Sequence, residues 1–244
     1  MDIPEINGYN HNICCSLSVL YGAEAIKNGR LKPDADGIRK VRSMKLLLKG
    51  LFLAFIAYLL GSISASILIS RTRWGGDIRR YGSGNAGATN MARIYGMADG
   101  VLTLLADFLK ALVATALGAW LLGDLGVLIG GMACLLGHCF PVFYHFKGGK
   151  GVSVGAAIGL AVHWKALAVL VVVFFAVALL TKKVSAGSVC AATALIVTGF
   201  VLAVSPPKLA LCVLAPLLVI WQHRANIKRL LNGTEPDFKA AKPK

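Results

Sequence analysis

The sequence predicts an all-α integral membrane protein, a bundle of about seven transmembrane helices with its active-site loops gathered on the cytoplasmic face. Three observations predict this. Of 244 residues, 57% are hydrophobic and 15% charged, against about 25% charged in a soluble domain, and the mean hydropathy is +0.69. Apolar runs of helical length alternate with short polar joints. The excess of basic residues, which gives a net charge of +15, falls on alternate joints. An ordinary soluble enzyme and a disordered chain are excluded. Six Cys are too sparse for a disulfide scaffold, and Cys134, Cys139, Cys190 and Cys212 lie inside apolar runs, where a free thiol serves as a small hydrophobe.

Residues 1–43 hold no basic stretch leading into an apolar one, so they do not read as a signal peptide. They are expected to be an N-terminal extension, disordered or preceding a true start at Met44. A membrane domain over 44–235 and a basic tail over 236–244 follow. The apolar segments are approximately 46–70, 98–122, 125–143, 150–162, 165–181, 187–204 and 208–222. A helix needs about 20 residues to cross a hydrocarbon core, so the fourth is too short to span upright, and five or six spans are the alternatives. The runs lack the alternation of barrel strands, and backbone groups in lipid must bond within their own segment; helices are required.

With seven spans, one side of the membrane receives the joints 71–97, 144–150 and 182–186 and the tail after 222, and with them most of the cations. The opposite joints, with Lys165 and Lys208, carry few. The positive-inside rule places the first set and the C-terminus in the cytoplasm. A basic membrane chain can meet anionic lipid or a phosphate-bearing substrate. No nucleic-acid partner is expected, because no compact soluble basic domain is present.

All the glycine-rich polar clusters fall on that same face. In the first, Gly82, Ser83, Gly84, Asn85, Thr89 and Asn90 precede Arg93. Gly82, Gly84 and Gly87 match a dinucleotide fingerprint by letter, yet no strand precedes them. The general physics survives: a glycine-rich turn converges backbone N–H groups on an anion, and small polar side chains add donors. A plain polar connecting loop is the competing reading. The second cluster, Gly148-Gly149-Lys150-Gly151, departs from a P-loop at Tyr144 and at Gly151 itself. It remains a candidate phosphate cradle at a helix start, or else a topogenic anchor. The third places His223 and Asn226 on one helical face, with Arg224, Lys228 and Arg229 read as lipid-facing or topogenic charges. Ser185 and Ser188 could donate to a ligand or cap the helix they open. Asp107 and Lys110 form an acid–base pair at membrane depth that marks a cavity or locks helices, while His138 and Pro141 are assigned to shaping the third helix. No metal site is implied, since no cysteine pair has zinc spacing and carboxylates are few.

These three motifs, in order over roughly residues 44–235, resemble those of the bacterial acyl-phosphate:glycerol-3-phosphate acyltransferases. The resemblance implies a seven-helix bundle in the bacterial inner membrane. The implied reaction moves a fatty acyl group from acyl phosphate to the 1-hydroxyl of glycerol 3-phosphate, giving lysophosphatidic acid and inorganic phosphate without a cofactor. Carried over residue by residue, Arg93, Lys150 and the Gly148–Gly151 amides would hold phosphate, with Gly82, Gly84, Thr89 and Asn90 completing the binding loop. Ser83, Asn85 and Ser188 would orient the substrates, and His223 with Asn226 would sit by the attacking hydroxyl. Ser83, Arg93, Lys150, His223 and Asn226 form the catalytic set. Ala225 departs from the third motif, where an acid is common, and Glu235 is the acid expected to matter structurally. Membrane lipid and an acyl-phosphate-forming enzyme are the implied partners, and a monomer is expected. The different-class alternative is a small transporter of a phosphorylated solute; a non-catalytic lipid-binding scaffold gives no reason for Ser83, Asn85, His223 and Asn226.

Overall fold

The structure, a computed structural model, describes residues 35–241, with the backbone alone at 35, 36 and 38. The expected extension therefore lies mostly outside the described residues. From Ala35, however, the chain is helical straight through Ser43 and Met44. It divides into a unit ending at Lys49 and one beginning at Gly50, and the second holds every polar cluster named above.

In chain order the helices are α1 (Ala35–Ser62), α2 (Ala65–Trp74), α3 (Ala88–Tyr95), α4 (Met97–Cys139), α5 (Val152–Val162), α6 (Trp164–Thr181), α7 (Val184–Val201), α8 (Pro206–Gln222) and α9 (Arg224–Leu231), with no strand among the described residues. The all-α class is the expected one, while among the described residues fewer than the expected seven helices are long and apolar enough to span. Segments long and apolar enough to cross a bilayer are Arg39–Trp74, Met97–Tyr144, Trp164–Thr181 and Val184–Val201, and α8 with α9 adds a fifth across a 62° bend. At 11 residues, α5 covers about half of a hydrocarbon core, and its Val154, Ala157 and Ile158 are fully enclosed.

Three departures from simple spans have local causes. The first apolar run breaks between α1 and α2, where Lys110 Nζ donates to the freed carbonyls of Gly61 and Ile63 at 2.9 and 2.6 Å. In lipid an unwound turn needs such a partner. Within α4, Leu122 and Gly123 leave helical geometry, Gly123 with φ +58°. The two halves then fold back so closely that a Cβ on Gly118 would lie 2.1 Å from the Gly126 carbonyl. Small residues allow this approach, and close packing replaces the missing hydrophobic drive between helices in lipid. At the end of α8, the turn at His223 redirects the chain into the amphipathic α9.

The core joins α4, α5 and α8 through Ala111, Ala114, Cys134, Leu135, Ile158, Leu211 and Cys212. Large apolar side chains such as Trp120, Leu180 and Val201 remain exposed on the outside, as a lipid-facing surface requires. The loop before α3, the loop before α5, the start of α7 and the turn at His223 meet around a single site.

Candidate active site

The first glycine cluster is shaped from within by Asn90. Its Nδ2 faces the carbonyls of Ile78, Tyr81 and Asn85 at 3.0–3.3 Å, and its Oδ1 accepts from the Ser83 N–H at 3.0 Å. Asn90 is therefore the loop's organiser, with its amide spent on backbone, and not a free ligand donor. A Cβ on Gly82 would stand 2.4 Å from that Oδ1, at φ +57°. The loop is anchored outside by Arg79, which donates to the carbonyls of Tyr144 and Lys147 at 2.8 and 3.1 Å. The same guanidinium, with Arg71, holds the Asp77 carboxyl far below the usual carboxylate range. Arg79 thus couples the first cluster to the second.

The second cluster corrects an expectation. The Gly148 and Gly149 N–H groups donate to the carbonyls of Cys139 and His138 at 3.2 and 3.0 Å, so neither is available to a phosphate. These glycines serve close packing. A Cβ on Gly148 would meet the His138 carbonyl at 2.1 Å, and one on Gly149 would meet the His138 Nε2 at 2.2 Å. Gly151, at φ +86°, turns the chain into α5. Lys150 projects from this loop and donates to Asn226 Oδ1 at 2.6 Å. Burial pushes its ammonium down to about 8; Glu235 opposes the fall, while Arg229 and Arg93 add to it.

The third cluster is held by Glu235. Its Oε1 accepts from Ser185 Oγ at 2.6 Å and from Asn226 Nδ2 at 2.7 Å, and its Oε2 from Arg229 Nε at 2.6 Å. Hydrogen bonding from these groups overcomes burial and keeps the carboxyl below its ordinary value. With Nδ2 committed to Glu235, Asn226 must present its oxygen to Lys150, so the amide orientation is fixed by chemistry. His223 Nδ1 lies 2.7 Å from the Val219 carbonyl. A carbonyl only accepts, so the proton is on Nδ1 and the neutral ring offers Nε2 as an acceptor.

These groups surround a cavity of about 520 Å³. Ser83, Asn85, Thr89, Arg93, Lys150, Gly151, Ser188, His223 and Asn226 line it as expected, and so do Gly82 and Asn90. Gly84, Gly148 and Gly149 are not in the lining. Ser188 Oγ donates back to Val184 at 2.9 Å. Neither serine caps α7, which has no side-chain cap. Arg229 does line the cavity, against its reading as a topogenic charge, and so do Ser153, Ser185, Asp107 and His138. The sequence held a signal for Arg229, six residues before Glu235, but its direction depends on the bend between α8 and α9. The His138 assignment is corrected too: its ring faces Lys110 Nζ at 3.2 Å and the Asp107 carboxylate at 3.6 Å.

Three helices begin on this cavity. Ala88 and Thr89 open α3, Val152 and Ser153 open α5, and Val184 and Ser185 open α7, and all six are in its lining. The first N–H groups of a helix have no acceptor within it and carry partial positive charge. Together with Arg93, Lys150 and Arg229 they make a site for multiply charged anions. A second, apolar groove of about 380 Å³ adjoins it and shares Leu104, Val152, Ser153, Phe174 and Ser188. Anion cradle and apolar groove therefore meet at the start of α5.

The family model described as glycerol-3-phosphate acyltransferase matches residues 51–233. A glycerol-3-phosphate acyltransferase of Finegoldia magna is 39% identical over 186 residues, spanning 76% of this chain and 94% of the relative. One from Syntrophotalea carbinolica is 43% identical over 189 residues, with 75% and 95% covered. Among solved structures, the glycerol 3-phosphate form of PlsY (YgiH), an integral membrane glycerol 3-phosphate acyltransferase, superposes with a TM-score of 0.75 at 36% identity, covering 78% of this chain and 96% of that one. Its lysophosphatidic acid form gives 0.72 at 35% identity, with 78% and 95% covered. Matched by the family model over most of its length, and by relatives of this identity along nearly their whole length, the chain belongs to the glycerol-3-phosphate acyltransferase family.

Proposed function

We propose that the protein acylates the 1-hydroxyl of glycerol 3-phosphate from acyl phosphate, giving lysophosphatidic acid and inorganic phosphate, as a step of phospholipid synthesis. The observation that carries this reading is the junction of an anion cradle, built from three helix starts and three cations, with an apolar groove. Acyl phosphate has one part for each. Its phosphoryl group and the phosphate of the acceptor share the cations, and its chain lies in the groove.

Acyl phosphate is already activated, so catalysis rests on holding two anions together and stabilising charge as it develops. The acceptor hydroxyl, positioned beside His223, turns its proton toward the phosphate of the donor and attacks the acyl carbon. The acyl C–O bond to phosphate breaks, the ester C–O bond forms, and the departing phosphate takes the hydroxyl proton. Lys150 and Arg93 neutralise the leaving group. The loops face the cytoplasm in this reading, a topology supported by the bias of basic residues. Transport of a phosphorylated solute is not favoured, because the cradle sits at one end of the bundle and not at its middle.

Purified protein in detergent with palmitoyl phosphate and glycerol 3-phosphate is expected to form lysophosphatidate and phosphate in equal amounts, without ATP, CoA or metal. Binding of glycerol 3-phosphate with no transfer, in lipid-reconstituted protein, would refute this.

The groove also predicts chain preference. Gly155 lines it, and a Cβ there meets nothing within 4 Å. Gly155→Phe is expected to fill the groove without disturbing the fold, cutting turnover of palmitoyl phosphate about 10-fold or more while sparing octanoyl phosphate, as loss of several buried methylenes implies. Equal effects on both chains would place the acyl group elsewhere.

A further inference from the structure

The anion cradle explains how phosphate is held, but not how the glycerol end of an acceptor is read. Nearly everything at the cradle donates: Arg93, Lys150, Arg229 and the helix starts. A hydroxyl must also donate to something. Glu235, one of two carboxylates in the lining, has both oxygens occupied. The other is Asp107.

Asp107 is 2% exposed, and although its Oδ1 is ion-paired with Lys110, no well-aligned hydrogen bond reaches that oxygen among the described residues. Its neighbours are Lys110 Nζ at 2.8 Å and His138 Nδ1 at 3.6 Å. Lys110 donates to the carbonyls of Gly61 and Ile63, and its third proton is shared between the carboxylate and the His138 ring nitrogen 3.2 Å away. The ion pair offsets the charge, yet a carboxylate has about four lone-pair sites. Accepting capacity therefore remains on the carboxylate of a residue that lines the cavity.

We propose that Asp107 accepts a hydrogen bond from the 2-hydroxyl of glycerol 3-phosphate and so makes the site specific for an acceptor bearing that group. This rests on the reaction assigned above. The charges set the orientation: the phosphate is drawn to the cations and repelled by Asp107, so the glycerol end points to the carboxylate. One hydroxyl then meets His223 and the other Asp107. An acceptor without the second hydroxyl leaves a buried carboxylate unsatisfied, which a hydrogen-bonding site rejects strongly.

The test compares three acceptors with palmitoyl phosphate as donor: glycerol 3-phosphate, 3-hydroxypropyl phosphate, which lacks the 2-hydroxyl, and its 2-fluoro analogue, which can accept but not donate. The wild-type kcat/KM is expected to fall about 30-fold for both analogues, the effect of a hydrogen bond to a charged group. In Asp107→Ala the preference is expected to shrink to within about 3-fold, with Asp107→Asn between. The ratio does not depend on how much of the variant folds. A fluoro analogue as good as glycerol 3-phosphate, a wild type that does not discriminate, or variants that lose all acceptors alike would each overturn the proposal. A wild type that acylates no acceptor would instead refute the reaction, and this assignment with it.

Discussion

Lys150→Ala is expected to lower kcat/KM for glycerol 3-phosphate by about 100- to 1000-fold, the usual cost of removing one preorganised donor from a developing anion. The same change at Arg224 or Lys239, exposed and outside the cavity lining, should cost little. Lys150 differs from those two because it is half-buried in the cavity lining and fixed by Asn226 at 2.6 Å. Its lowered value of about 8 adds a signature. The free enzyme loses the Lys150 proton as pH rises through that value, so kcat/KM should fall on an alkaline limb near pH 8. Arg stays charged over this range. Lys150→Arg should therefore abolish the limb even if its longer fork costs some activity. A limb unchanged in Lys150→Arg would assign the titration to another group, and equal small losses for Lys150→Ala and Arg224→Ala would reduce the basic residues to topology.

The fold was largely legible because lipid allows few backbone solutions: the apolar runs become helices, and from α5 onward their ends lie within a few residues of where hydropathy put them. The first run is the instructive exception. Its break at Ser62–Ser64 is stabilised by Lys110, 49 residues from Gly61 in the chain, and no local pattern announces such a partner. The site was legible as a set of clusters on one end, since glycine with small polar residues and cations has few other uses there. Individual roles were less so. The reading of Gly148 and Gly149 as anion donors assumed free N–H groups, while close contact with His138 consumes them. Asn90 was placed among the ligand donors although its amide braces the loop, because an amide's partners are set by the turn it closes. Arg229 and His138 were assigned to surface and helix shape for the same reason: their directions depend on the break after α8 and on the end of α4. Glu235, expected as a structural acid, holds that role through three side chains from α7 and α9.

Glu235 is also where stability and catalysis meet, so Glu235→Gln is expected to damage both. The carboxylate accepts from Ser185, Asn226 and Arg229, while an amide has one accepting oxygen and would turn its own N–H₂ toward one of these donors. Arg229 is 41% exposed, which weakens that ion pair by solvent screening; the loss of stability should still be about 2 kcal/mol, carried by the buried Ser185 and Asn226 bonds. A thermal melt in detergent would show it. The carboxyl is held below its ordinary value of 4.5, so its stabilisation is complete above that pH and is lost as pH falls further. The gap in melting temperature between wild type and variant should accordingly narrow on acidification. The catalytic effect follows from Asn226 and Lys150. Without the acceptor for its Nδ2, Asn226 can rotate and withdraw its oxygen from Lys150. The negative charge that supports the Lys150 ammonium disappears as well. The alkaline limb of Glu235→Gln should therefore move below pH 8, together with a fall in kcat/KM. A variant that melts early but keeps the limb in place would confine Glu235 to holding α7 and α9 together, and would separate the fold's need for this carboxylate from the site's.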